Sequence, residues 1–166
     1  LQSLAGQLNG LKEGPKRERG AQYDDAAVLH GALAFSAQQF FGNTGPTGQH
    51  AMAATDTKIG KLVSSGHPGK TARRSIAFGE AIAKHILDWS QNDGGAHVEN
   101  LGFPENYTVS KEPGHWVPTN TQGLQQHPLL PEWGKVRTFA MTSGATCQLP
   151  PPPTYSEDKG SAFYKE

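Results

Sequence analysis

The stretch Asp88–Met141 constrains this chain more than any other. It holds all three tryptophans, Trp89, Trp116 and Trp133, together with Pro104, Pro113, Pro118, Pro128 and Pro131, yet it shows neither helical nor strand periodicity. Three indoles carry more apolar area than a folded chain leaves in water, so a segment bearing them must be an ordered, irregular wrap lying against something. The helix-forming region before it is the available surface within the chain.

Composition sharpens that expectation. At 166 residues the chain can build one core, but it is 35% hydrophobic with 20 glycines and 12 prolines, so irregular structure rivals regular structure. Part of its apolar surface is therefore expected to pack against further polypeptide, another subunit or an oligomeric copy, and Trp89, Trp116 and Trp133 are the residues such a partner would cover. Fifteen basic and fifteen acidic residues cancel. That balance gives no global field toward nucleic acid or an anionic membrane. Cys147 is the single cysteine, which excludes an intrachain disulfide and a CxxC metal or redox pair. No apolar run approaches the roughly 18 residues of a membrane span, and Leu1–Leu11 lacks the basic flank and apolar centre of a signal peptide. The chain starts at Leu1 rather than Met, so a processed or trimmed start is expected.

Residues 1–22 mix spaced leucines with Gly6, Gly10, Gly14 and Pro15 and read as an extended N-terminal arm. Its basic cluster, Lys16, Arg17 and Arg19, reads as a solvated charged turn, with phosphate contact as the alternative. Residues 23–95 read as a three-helix region. Val28, Leu29, Ala32, Leu33, Ser36, Ala37, Phe40 and Phe41 recur at helical steps and predict a first helix over about Asp24–Phe41. Asp24 and Asp25 favour its positive end, and Gly42–Pro46 stops it. Met52, Ile59, Leu62 and Val63 predict a second, antiparallel helix from Thr47 or Gly48 to Val63. Thr71 is the expected cap of a third, running to about Gln91, with Ile76, Gly79, Ile82, Ala83, Ile86 and Trp89 on one face and Gly79 at a tight helix contact. Residues 96–155 form the proline-rich wrap, ending in the polyproline strut Leu149–Pro153. Within residues 156–166, Ser156-Glu157-Asp158 reads as the start of a helix that continues beyond the chain. The fold class is all-α: a bundle of three main helices, then the wrap, then the start of a further helix.

Each candidate for chemistry has a plainer reading beside it. Ser65-Gly66-His67 matches the core of the oxyanion-binding pattern of the phosphatidic-acid phosphatase and vanadium haloperoxidase superfamily, which runs Lys-x6-Arg-Pro, Pro-Ser-Gly-His, then Ser-Arg-x5-His-x3-Asp. Lys and Arg with turn amides cradle the oxyanion while histidine attacks or ligates it. Lys12 and Arg19 keep the first spacing, but Gly20 replaces the proline, Ser64 replaces the proline before Ser-Gly-His, and no Arg-x5-His follows His67. Lys12, Arg19 and His67 are thus expected to lie in an arm and a turn rather than in a site. Asp88, Asp93, Glu99, Asn100 and Glu105 surround two glycines and offer ligands for a hard cation, but without EF-hand spacing they read as solvated turn carboxylates. His30, His50, His67, His85, His97, His115 and His127 show no zinc spacing, and His30 reads as a packed or polar-face histidine. No G-x-S-x-G elbow exists, and Cys147 reads as a buried or loop cysteine.

Six blocks in order carry a resemblance: F-F-G-N-T-G-P-T-G-Q at Phe40–Gln49, D-W-S-Q-N-D-G-G at Asp88–Gly95, E-N-L-G-F-P at Glu99–Pro104, H-W-V-P-T at His115–Thr119, P-L-L-P-E-W-G-K-V-R-T-F-A-M at Pro128–Met141, and L-P-P-P-P-T-Y-S-E-D at Leu149–Asp158. Together they resemble the N-terminal half of bacterial vanadium-dependent haloperoxidase-like proteins, over Tyr23 to the end. The resemblance implies a helical scaffold and a vanadate or phosphate pocket built by the C-terminal half, so vanadate is bound outside this chain and no residue here is assigned to catalysis or to a cofactor. It leaves haloperoxidase and acid phosphatase both open and implies an extracytoplasmic location. A non-catalytic helical subunit or interaction module that keeps this scaffold is the alternative from another class.

Overall fold

In a computed structural model the chain is described over residues 5–95 and 100–166. It divides into two compact units, Leu1–Asn92 and Asp93–Glu166. Among the described residues there is no strand, and the regular structure is helical.

The first unit is built on three helices. Helix α1 spans Asp25–Phe40 and starts because the Asp24 carboxylate accepts from the Ala27 amide at 2.7 Å, with an acidic Asp25 in the first turn. After Phe41 the chain turns, and the Gln49 side-chain amide donates back to the Gly42 carbonyl at 2.6 Å. Helix α2, Pro46–Ser64, opens on a proline that has no amide to leave unpaired. Helix α3 spans Gly69–Ser90. Thr71 does not cap it: the Pro68 carbonyl accepts from the Thr71 and Ala72 amides at 2.8 and 3.2 Å, so the helix begins three residues earlier than its polar pattern predicts.

Small residues make the α1–α3 interface. Ala27 and Gly31 are buried on α1, and Ala72, Ser75, Gly79 and Ala83 on α3. The backbones lie so close that a Cβ on Gly79 would sit 2.0 Å from the Val28 carbonyl oxygen, and one on Gly31 would sit 2.3 Å from that of Ile76. Only glycine permits that approach. The tight contact expected at Gly79 is therefore present. Leu29 and Leu33, by contrast, are 59% and 60% exposed, and Phe40 and Phe41 are also exposed. The apolar stripe on α1 thus splits, its small residues against α3 and its large ones turned elsewhere. Helix α2 buries no residue.

The N-terminal arm is turned rather than simply extended, because Gly6 and Gly10 adopt positive φ and the Leu11 amide donates to the Leu8 carbonyl. It runs antiparallel along α3. The Trp89 indole N–H donates to the Asn9 carbonyl at 2.8 Å, His85 Nε2 meets the Lys12 carbonyl at 3.0 Å, and the Arg74 guanidinium donates to the Gln22 carbonyl at 3.1 Å. Leu11 is buried. Trp89 is therefore half-covered by this chain's own arm, which corrects the expectation that outside polypeptide must cover all three indoles.

The second unit is irregular but cross-tied. The Arg137 amide donates to the Asp93 carbonyl and the Leu130 amide to the Gly102 carbonyl, each at 2.7 Å. Asn100, Leu101 and Leu130 hold positive φ, a backbone region costly for residues with a Cβ. The Tyr155 ring packs against Gly114 and stands edge-on to Phe163 at 5.2 Å. Short 3-10 turns occupy Trp133–Lys135 and Gly144–Cys147. The last helix, α4, starts at Ala162, not at Ser156: Ser161 caps it by accepting from the Tyr164 amide at 3.1 Å, while Asp158 accepts from Gly160 and closes a turn. Leu101, Leu124, Trp133, Phe139 and Leu149 are exposed, as is Trp116 to a lesser degree.

Candidate functional site

In the first unit a groove of about 570 Å³ lies between α1 and α2. It exists because α1 gives its small residues to α3, leaving Leu29, Leu33 and Ala37 to face Met52, Ile59 and Val63 of α2. One polar pair interrupts this lining. His30 Nε2 lies 3.1 Å from an Asp56 carboxylate oxygen, with the histidine side chain 8% and the aspartate 43% exposed. The pair links α1 to α2, so His30 is a packed histidine held by a partner, as its sequence position predicts. The groove can accept an apolar body, with the Asp56 carboxylate available to it as a hydrogen-bond acceptor.

The residues of the oxyanion-like pattern do not form a pocket. His67 Nε2 lies 3.0 Å from Asp24, tying the α2–α3 turn to the residue that caps α1. An oxyanion at that imidazole would meet a carboxylate already in place. The Lys12 and Arg19 side chains are both exposed, Arg19 in a turn, and neither lines the α1–α2 groove. These residues therefore do not fit vanadate or phosphate, and no step is derived through either group.

The neighbouring basic cluster is locally matched. Lys16 pairs with Glu13 at 2.8 Å, which lifts the lysine above its ordinary pKa and lowers the glutamate, the hydrogen bond being the main cause for both. Arg17 pairs with Asp25 and lies 5.2 Å from the Tyr23 ring centroid, and Arg74, 3.6 Å from Glu18, lies 5.8 Å from the same centroid. Tyr23 in turn stands edge-on to Phe78 at 5.3 Å. These cations anchor the arm to α3. The sequence showed the charges but not the ring that both cations approach.

The carboxylates expected near the end of α3 serve local roles. Asp88 accepts from Lys84 at 2.7 Å and Asp93 from the Gly95 amide at 2.6 Å, while the Asn100 side-chain amide donates to the Phe103 carbonyl at 3.2 Å. Glu105 is exposed, and Glu99 and His97 lie outside the described residues. Among the described residues no group of three or more His, Cys, Asp and Glu side chains is placed to hold a metal ion. His50, His115 and His127 are exposed. Cys147 is exposed at the end of its 3-10 turn, a loop cysteine and not a buried one. In the second unit Tyr155 donates to Glu157 at 2.8 Å, and that bond raises the phenol above its ordinary pKa. Among the described residues no helix is long and apolar enough to cross a membrane.

No family model matches the chain, and no curated protein does. Among solved structures it is similar to a bacterial vanadium-dependent iodoperoxidase, with 29% identity and a TM-score of 0.68. The match covers 98% of this chain and 37% of that one, so this chain spans little more than a third of the iodoperoxidase's length. The resemblance read from the six sequence blocks is thereby borne out in three dimensions, as is the all-α scaffold.

Proposed function

We propose that these residues are the scaffold-forming portion of a vanadium-dependent haloperoxidase-like or acid-phosphatase-like enzyme whose oxyanion-binding residues lie on polypeptide outside them. One observation carries the reading: the similarity to a vanadium-dependent iodoperoxidase runs through 98% of this chain, irregular second unit included, while occupying 37% of the iodoperoxidase. The local chemistry supports it from the other side. His67 is paired with Asp24 while Lys12 and Arg19 are exposed, and the apolar groove and the exposed aromatics of the second unit suit surfaces of a scaffold. An extracytoplasmic location belongs to the same proposal.

The test is activity of the intact polypeptide that contains these residues. Reconstituted with vanadate, it is expected to oxidise a halide with hydrogen peroxide; without vanadate, a phosphatase of this class hydrolyses a phosphomonoester. Intact polypeptide active in neither assay, and unable to bind vanadate, would replace the enzyme reading with that of a non-catalytic helical module.

A further inference from the structure

Helix α1 faces α3 with Ala27 and Gly31, and its large residues Leu29 and Leu33 look the other way, toward Met52, Ile59 and Val63 of α2. Leu29 and Leu33 are four residues apart, and Met52, Ile59 and Val63 are spaced by seven and four. These are the repeats with which a helix presents a ridge to a neighbour. The two rows border a trough about 16 Å long at about 1.5 Å per residue, roughly three helical turns. Leu29, Leu33 and Ile59 are exposed along it, and the second pocket-like surface, on the outer flank of α2, is lined partly by Lys58 and Lys61 and offers no such pair of rows.

We infer that the α1–α2 groove is the seat of an amphipathic helix supplied by polypeptide of the same protein outside residues 1–166. The inference rests on the scaffold reading above and names the surface through which the scaffold meets the remainder. The occupant is expected to carry an apolar stripe about three turns long and, at its middle, a hydrogen-bond donor. That donor faces Asp56, the groove's partly exposed carboxylate, which His30 holds from beneath. With that helix in place α1 and α2 become half of a four-helix bundle, and the large residues that α1 withholds from α3 gain a partner. The solved relative supplies the source: its fold matches 98% of this chain and extends well beyond it, this chain covering 37% of its length.

Thiol accessibility tests the inference directly. In a Cys147→Ser background, which removes the exposed native cysteine, Leu33→Cys and, separately, Ile59→Cys are labelled with a maleimide dye, both in residues 1–166 alone and in the intact polypeptide. Lys58→Cys, exposed on α2 and outside the groove, is the control. Both groove positions are expected to label rapidly in residues 1–166 and at least about a hundredfold more slowly in the intact protein, as local opening of a docked helix requires, while the control labels rapidly in both. Fast labelling of both groove positions in the intact protein overturns the inference. So does protection that disappears on dilution, which would make the occupant a second copy. Vanadate binding to the same preparations separates the two claims: binding with an accessible groove refutes the seat alone, and a protected groove without binding refutes the enzyme reading alone.

Discussion

Replacing Gly79 by alanine puts the α1–α3 seam under the sharpest available test. On propensity alone the change stabilises a helix interior by about 1 kcal/mol, since glycine is the poorest ordinary helix former. The structure opposes it with a Cβ placed 2.0 Å from the Val28 carbonyl oxygen and 2.8 Å from the Ala32 amide nitrogen. Both obstacles are backbone, so neither can swing aside. The helices must part by more than 1 Å at that point, loosening the contacts of Ala27, Ser75 and Ala83 along the seam, and overpacking of this kind costs typically 1–3 kcal/mol and occasionally more. Set against the propensity gain, a net loss of about 1 kcal/mol is expected. With a urea slope of about 1–3 kcal/mol per molar, the midpoint for loss of helical circular dichroism then falls by roughly 0.5 M. Gly60→Ala on α2 is the matched control, because its Cβ meets one side-chain atom, His30 Nε2, at 3.2 Å, and a ring can give by the few tenths of an ångström required. It should leave the midpoint unchanged or raise it. A Gly79→Ala chain as resistant as the parent would refute the claim that glycine is there to let the backbones touch.

Other perturbations follow from the same contacts. Ser75 is fully buried, accepts from the Asp24 amide at 2.9 Å and donates to the Thr71 carbonyl at 2.8 Å, so Ser75→Ala strands the Asp24 amide and should cost about 1–2 kcal/mol in a urea titration. Trp89→Phe removes the donor to Asn9, and tryptic cleavage after Lys12, Lys16 and Arg17 should accelerate as the arm lifts from α3; an unchanged cleavage rate would mean that Leu11, His85 and Arg74 suffice to hold it. Glu157→Gln should bring the Tyr155 phenol back down toward its ordinary value of 10.0, read by ultraviolet titration. The sign follows from the raised folded pKa: the bond contributes in full below the unfolded phenol pKa and is lost as pH rises through the folded one. Finally, the exposed Trp133, Phe139 and Leu149 make residues 1–166 alone prone to concentration-dependent self-association in light scattering, whereas a monodisperse, cooperatively unfolding monomer would show that these surfaces need no cover.

The helices were legible because their signals are local. Apolar steps of three and four, Asp24 before α1, Pro46 at the start of α2 and Pro68 before α3 place the three main helices within a few residues. Which face would be buried was not legible. Hydrophobic periodicity ranks Leu29 and Leu33 above Ala27 and Gly31, yet close backbone approach rewards the smaller residues, and only the glycines on both helices hint at it. The arm was missed for a related reason. Its anchors are the carbonyls of Asn9, Lys12 and Gln22, which any residue could supply, so no side-chain pattern marks them. His67 shows the opposite failure: a Ser-Gly-His turn draws attention to catalysis, and the partner that commits it, Asp24, lies 43 residues away by the numbering and becomes visible only when the helices fold.

A vanadate titration run side by side on residues 1–166 and on the intact polypeptide tests the central claim most directly. The scaffold account predicts binding of one vanadate by the intact polypeptide and none by residues 1–166, with His67→Ala changing neither result. Stoichiometric binding by residues 1–166 that His67→Ala abolishes would contradict it and move the oxyanion site into this chain.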